Sequence, residues 1–561
     1  MSSYGAIGVD YDDTDPLVQD DTRTARSAST SQVDRDAYSQ RRQPYMFTGG
    51  IGLSREGSTQ SLNEEDTGVR DTQHNMALRY RLYNRLDPGG HQLRMPDHVT
   101  QPELFSILPF DEMKDASGKQ SSIVTIFSIW NTLMGSSLLS MPWALEQAGL
   151  VLGIIIFLVM AALCLYTAYL VVESPKNIPD LSVDPMIAEF SDICRHFFGK
   201  TGQTISVLFS VVVFLGGIIV YWVLMSNFMY YTGSVVYEAL QPNSSTIPIM
   251  ENKTFTCDVY CPLQLEEQFL WDESPYQLAS DWWNFDRLWQ LQGTVPFYLA
   301  LLTFPLFNFK SPTFFTKFNV LGTISVVYLL VFTGSKFVEC GINVDFFDPK
   351  SIHYVKLANW KFPALTGTLT LSYFIHNAIR TILRNQKTPK NNVRDLTIAY
   401  FLCAGCYIFI AVTFFLGFPV ERSCISDNFL NNFGTGDILS STARLFLLFQ
   451  MITVLPLLMY LIRSQLFYSI CGDPYPSLVW VVLLNIVVMS TAIAFAVFYP
   501  KVGSILRYVG ALCGLVYVFA LPNLVQLRKM DLAGQLTPRR RVFHSVIIII
   551  GLLNLIAQFV V

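Results

Sequence analysis

From residue 123 to residue 561 the chain is a succession of apolar runs separated by short polar connectors. Each run is close to the about 20 residues that a helix needs to cross a bilayer. Hydrocarbon offers no water to backbone N–H and C=O groups, so runs of this kind close their hydrogen bonds internally as helices. Hydropathy places spans near 123–147, 149–173, 203–237, 294–308, 314–337, 362–383, 396–418, 439–463, 476–499, 502–526 and 541–561. That makes eleven, the fourth being short unless it begins near Leu288. The chain is 51% hydrophobic and 15% charged, and the charges gather in the first 120 residues and a few connectors. A net charge of −4 therefore says little about partners, and nucleic acid is not expected among them. The expected fold class is an all-α membrane protein.

The first span carries an interruption. Ile123–Phe127 and Leu138–Trp143 are apolar, but between them stand Asn131, Thr132, Leu133, Met134, Gly135, Ser136 and Ser137. Unwound backbone at membrane depth is tolerated only where it lines a cavity or is buried in protein, so this stretch predicts main-chain groups kept free for a ligand. For Gly135 alone, close helix packing is the competing reading. The span has no ionisable residue between Ile123 and Leu145. A zwitterion such as an amino acid fits such a site, with its carboxylate on free N–H groups at a positive dipole end and its ammonium on free carbonyls. We expect the carboxylate at Gly135, Ser136 and Ser137. The ammonium is expected near the carbonyls of Asn131 and Thr132 and near a second break.

That second break is expected in the span 362–383, at Thr366, Gly367 and Thr368. Five helices are an odd number, so a duplicated set of five inserts upside down, and 362–383 is the first helix of the second set. Paired broken helices at corresponding positions are the best sequence pointer to a midplane site. The expectation is an inverted five-plus-five repeat, leucine-transporter-like, with one added C-terminal helix. In the same span His376 is a proton-carrier candidate because imidazole titrates near the pH of acidic compartments; a buried histidine bonded to a neighbour is the alternative. Arg380 is expected to snorkel to the membrane edge.

Basic residues set the orientation. With a cytosolic N-terminus and a lumenal C-terminus, the cytosolic connectors hold Lys176, Arg195 and Lys200, then Lys310 and Lys317, then Arg384, Lys387, Lys390 and Arg394, and finally Arg528, Lys529 and Arg539–Arg541. The opposite face receives a long loop of about 238–293 with acceptor tripeptides for glycosylation at Asn243 and Asn252. Cys257, Cys261, Cys340 and Cys424 fall on that face, where disulfides form. The preferred bridge joins the long loop, at Cys261, to Cys424. Cys164, Cys403, Cys406 and Cys513 lie within spans and read as small apolar packing residues, and no metal-ligand spacing appears.

Residues 1–77 read as a disordered cytosolic tail. Tyr4–Ile7 and Asp13–Val18 resemble tyrosine-based and acidic-dileucine sorting signals. Residues 78–120 alternate apolar residues with Pro88, Pro96, Pro102 and Pro109, and read as a segment that docks on a partner, plugs the transporter or folds against its cytosolic face. Residues 121–561 form the transmembrane domain. Leu458–Arg463, with Tyr460 and Arg463, fits a proposed cholesterol-contact pattern, although an aromatic and an arginine at the interface explain it equally.

Trp130–Trp143 resembles the first helix of amino acid transporters of the amino acid/auxin permease type, solute carrier family 38. Tyr221–Phe228, Phe374–Asn377, Asn391–Asp395 and Phe449–Met451 extend the resemblance over roughly residues 80–561, and it lies with the lysosomal, arginine-sensing branch of that family. Ser136 departs from it, standing where that branch is expected to carry threonine. The resemblance implies a secondary amino acid transporter of the lysosomal or late endosomal membrane that moves substrate from lumen to cytosol and is regulated by arginine. It further implies a sodium site involving Asn131 and Thr453, although Thr453 can equally bond its own helix backbone. In the tail it implies that Tyr83, Arg85, Leu86, Pro96, Asp97 and His98 dock on Rag GTPases and Ragulator, signalling to mTORC1. A sodium- or proton-coupled neutral amino acid transporter with no signalling role is the alternative. No charge ring or filter suggests a channel, no nucleophile, base and oxyanion arrangement suggests an enzyme, and no cofactor is implied beyond the sodium ion.

Overall fold

The computed structural model describes residues 102–105, 120–176, 178, 185, 188–240, 257–262, 285–309, 313–473 and 475–560. The sorting signals, the acceptors Asn243 and Asn252, and the docking residues Tyr83, Arg85, Leu86, Pro96, Asp97 and His98 lie outside these residues. Among the described residues every regular element is helical, and β pairing is limited to isolated bridges.

The membrane portion opens with α1 (Ser122–Leu133), capped by the Ser121 side chain, which accepts from Val124 N. A tight turn, Ser136–Ser140, and α2 (Met141–Ala148) follow. Pro142 suits the first turn of α2 because its missing N–H has no helical partner there. The two halves are bent by 52° at the interruption. Gly149, at φ 84°, then reverses the chain into α3 (Leu150–Glu173); a side chain there would lie 2.8 Å from the backbone of Ala358.

α4 (Phe190–Leu240) is 51 residues long, and Gly199 at φ 65° divides a short first segment from the spanning part. α5 (Val295–Phe307) has only 13 residues, with a separate turn of helix, Phe285–Leu288, ahead of it. Then come α6 (Asn319–Cys340), α7 (Pro363–Ser372), α8 (Ile379–Leu383) and α9 (Asn392–Gly417). α10 (Ile438–Cys471) is capped by Asp437 and contains Pro456. α11 (Leu478–Phe498), α12 (Val502–Gly514), α13 (Leu521–Leu532) and α14 (Pro538–Ala557) complete the chain, and a π-helical turn, Leu515–Ala520, joins α12 to α13.

Among the described residues eight helices, with α12, its π-helical turn and α13 taken as one, are long and apolar enough to cross a membrane, and the α1–α2 pair taken as one span makes nine. Their outer faces carry large apolar residues such as Leu301, Val338, Phe401 and Phe498, each more than two thirds exposed, as a lipid-facing surface requires. The core runs through α1, α4, α7 and α9, with Trp222, Tyr373, Tyr400, Tyr407 and Phe228 fully buried.

The span expected to break at Thr366–Thr368 does not break there. α7 is continuous through those residues because each hydroxyl finds a carbonyl of its own helix: Thr366 bonds Pro363 O, Thr368 bonds Ala364 O and Thr370 bonds Thr366 O. Gly367 serves packing instead. Its backbone meets α12 so closely that a methyl group at Gly510 would lie 2.2 Å from Gly367 O. The helix ends at Ser372 and resumes at Ile379, so the interruption covers Tyr373, Phe374, Ile375, His376, Asn377 and Ala378.

Two disulfides join loops on one face, Cys257 to Cys340 and Cys261 to Cys424. The Cys424 loop is also held by Asn432, whose amide donates to Tyr260 O and Cys424 O. Cys164, Cys403 and Cys513 are buried free thiols within helices and Cys406 is partly buried. Ahead of α1, the turn Pro102–Phe105 packs Leu104 against Phe315, Leu457 and Leu461, and Leu104 O accepts from the Asn319 amide at 3.0 Å.

Candidate functional site

The interruption between α1 and α2 leaves main-chain groups exposed to the interior. Gly135 is extended and no side chain caps the turn that follows. Among the described residues no backbone carbonyl accepts from Ser136 or Ser137, the first N–H groups of that turn. A Cβ built on Gly135 meets nothing within 4 Å, so the packing alternative for this glycine fails and open space lies beside it. Unpaired N–H groups at the start of a helical turn are donors available to an anion.

A single hydroxyl connects the two interruptions. Tyr407 on α9 is fully buried and donates to Leu133 O, the last carbonyl of α1, at 2.7 Å. Its oxygen also lies 3.2 Å from Ser372 O, the last carbonyl of α7, and 3.3 Å from Ser137 Oγ. The carbonyls that converge are thus those of Leu133 and Ser372, rather than those of Asn131, Thr132 or the Thr366–Thr368 stretch. Thr132 bonds Ser128 O within its own helix, while Met134 is buried and returns its N–H to Trp130 O.

Asn131 faces α6 and α10. Its Oδ1 accepts from the Thr323 hydroxyl at 3.4 Å and its amide donates to Asn319 O. A methyl at Gly322 would lie 2.7 Å from Asn131 Oδ1 and 3.0 Å from Gln450 Nε2, which places the Gln450 amide in the same cluster. The Thr453 hydroxyl instead donates to Gln450 O, one turn back in α10. Asn131, Asn319, Thr323 and Gln450 thus form one polar cluster where α1 meets α6 and α10. Among the described residues no cluster of histidine, cysteine and carboxylate side chains fits a metal ion.

His376 lies in the second interruption, fully buried, with Nε2 2.9 Å from the Thr167 hydroxyl of α3. Arg380 leaves the same span toward the α4 approach, donating to Ala188 O and Pro185 O. Arg463 is buried, flanked by the rings of Tyr460 and Tyr475, and donates to Phe309 O. Of the cholesterol-contact pair only Tyr460 keeps partial exposure.

Two elements outside the first interruption brace it. Ser140 donates to Asp427 O at 2.6 Å, and Asp427 Oδ2 accepts from Gly503 N at the start of α12. Burial raises the Asp427 carboxyl above its ordinary range, opposed by the Gly503 and Asn428 N–H groups and by Lys501. On α14, Asn554 accepts from Thr366 and donates to Thr370, and Gln558 donates to Pro363 O, so the last helix grips α7 along its length.

A bundle of apolar helices with two interrupted spans, the first leaving backbone N–H groups free, is the architecture of a helical membrane transporter. Its family follows from comparison. The model of the transmembrane amino acid transporter protein family matches residues 118–255 and 289–561, and the chain belongs to that family. It is 64% identical to the sodium-coupled neutral amino acid transporter 9 homolog of Caenorhabditis elegans, over 100% of this chain and 95% of that protein. It is 42% identical to the neutral amino acid transporter 9 of Rattus norvegicus, over 89% and 92%. To the protein of the same name in Danio rerio it is 41% identical, over 86% and 90%.

Proposed function

We propose that this transporter carries its amino acid in the pocket between the two interruptions. The carboxylate sits on the N–H groups of Ser136 and Ser137, and the ammonium on the carbonyls of Leu133 and Ser372. The observation that supports this reading most is the open space beside Gly135, next to uncapped N–H groups and opposite two helix-end carbonyls. With α5 and the α7–α8 pair counted as spans, the chain has eleven, arranged as an inverted five-plus-five repeat with α14 added. The N-terminus is cytosolic and the disulfide face lumenal, in a lysosomal or late endosomal membrane.

Sodium coupling is supported by the oxygens around Asn131 and by the name of the nematode relative; Thr453 belongs to the same proposal at one remove, and His376 is the proton-carrying candidate. Neutral amino acids are the proposed cargo, with arginine as regulator. The segment 78–120 is proposed to dock on the cytosolic face, as Leu104 does, and to engage Rag GTPases and Ragulator through Tyr83, Arg85, Leu86, Pro96, Asp97 and His98. Cholesterol contact is proposed at Tyr460 alone.

Uptake by proteoliposomes tests the transport reading, using a radiolabelled amino acid panel with and without sodium and a pH gradient. Accumulation of a neutral amino acid that depends on sodium is expected; accumulation of none of the panel overturns the reading. For the sensor role, a peptide of residues 76–112 should retain Rag–Ragulator in a pull-down, and failure to do so removes that role.

A further inference from the structure

Tyr407 is placed where a hydroxyl is the wrong group for the job it does. Leu133 O and Ser372 O each end a helix at an interruption, so each sits at the negative end of a helix dipole. Both point at the Tyr407 oxygen, with Ser137 Oγ as a third neighbour. A phenol carries one proton and satisfies one acceptor at a time, whereas a primary ammonium carries three. Two carbonyls and a hydroxyl converging on one buried point form a better site for R–NH3+ than for the O–H now there.

We propose that the Tyr407 hydroxyl is an internal stand-in for the ammonium group of the cargo, one that lets the empty carrier change conformation. Without cargo, the phenol shares its proton between the carbonyls that end α1 and α7 and keeps the two broken helices together. With cargo, the ammonium donates to both carbonyls and to the phenol oxygen, which becomes an acceptor. Leu133 O also accepts from Gly135 N at 2.9 Å, so Ser372 O is the carbonyl that depends on the hydroxyl. A buried carbonyl without a donor is costly, and a carrier lacking the hydroxyl therefore passes through its occluded conformation only when loaded. Tyr407 is a positioning residue in this scheme, and the scheme rests on the reading that the amino group lies between the interruptions.

Tyr407→Phe in the full chain, reconstituted in proteoliposomes, tests it with radiolabelled glutamine as a neutral amino acid probe. Net uptake into empty vesicles is expected to fall by about tenfold or more, a change of about 1.4 kcal/mol in the rate-limiting barrier. Exchange into vesicles preloaded with unlabelled glutamine is expected to fall by about threefold or less, because cargo still supplies donors to both carbonyls and loses only its bond to the phenol oxygen. Tyr407→His, which keeps a ring donor, should recover net uptake. Equal loss of net uptake and exchange, or no loss of either, overturns the proposal. So does failure of both variants to give a monodisperse protein, which would assign Tyr407 to packing alone. Undiminished uptake by Ser136→Phe would instead remove the underlying site reading, and so the two failures are told apart.

Discussion

At Gly135 the backbone faces open space and at Ser136 it offers an unpaired N–H, so these positions bear on cargo more than on folding. Ser136→Phe is expected to abolish uptake while leaving the melting temperature within about 2 °C of the parent, since Ser136 is only partly buried and its neighbour Gly135 borders open space. Uptake at the parental rate would move the site elsewhere. Asp427 behaves differently. Its carboxyl is raised above the ordinary range chiefly by burial, so its neutral form suits the fold. Its stabilising contribution is complete below the unfolded aspartate value and is lost as pH rises through the raised folded value. Asp427→Asn, which holds the neutral shape at every pH, should therefore gain on the parent as pH rises across that window. Melting curves in detergent at a series of pH values check this, and a constant difference between the two proteins would refute it.

Among the elements, the seam between α7 and α12 brings backbone close against backbone. Gly510→Ala would drive a methyl group to 2.2 Å from Gly367 O, and overpacking of this kind costs about 1–3 kcal/mol. The expected outcome is a lower melting temperature, whereas the same change at Gly135 should be nearly neutral; comparable melting of the two variants would count against the packing account. The seam also explains what could be read from the chain beforehand. Long apolar runs announce spanning helices because lipid leaves the backbone no other partner. The first interruption was legible because Asn, Thr, Gly and Ser fall together there. The second was displaced by about two turns, because Thr366, Gly367 and Thr368 imitate a polar break although the two threonine hydroxyls are satisfied within the helix. The true break runs through Tyr373–Ala378, where His376 and Asn377 stand beside three large apolar or aromatic residues and no glycine or proline gives a signal. Tyr407 went unread for a similar reason, as one tyrosine in an apolar run. The available signal was that a buried phenol needs a hydrogen-bond partner, which the sequence alone does not locate.

In the whole molecule, the disulfides tie together parts far apart in the chain. Cys261 and Cys424 are separated by 163 residues with Cα atoms 5.0 Å apart, and Cys257 reaches Cys340 at the end of α6. Loss of the first bridge in Cys424→Ser is expected to cost about 2–5 kcal/mol, seen as earlier thermal unfolding and as easier proteolysis of the joined loops. An unchanged melting temperature would show that the Asn432 hydrogen bonds suffice without it. These staples have a mechanical meaning as well. They bind the loops that follow α4, α6 and α9 into one brace, and α1, α2, α7 and α8 carry no such link. On the transport reading proposed above, a carrier that alternates between two openings needs one part that stays put and another that swings, and the cross-linked loops are the natural choice for the first.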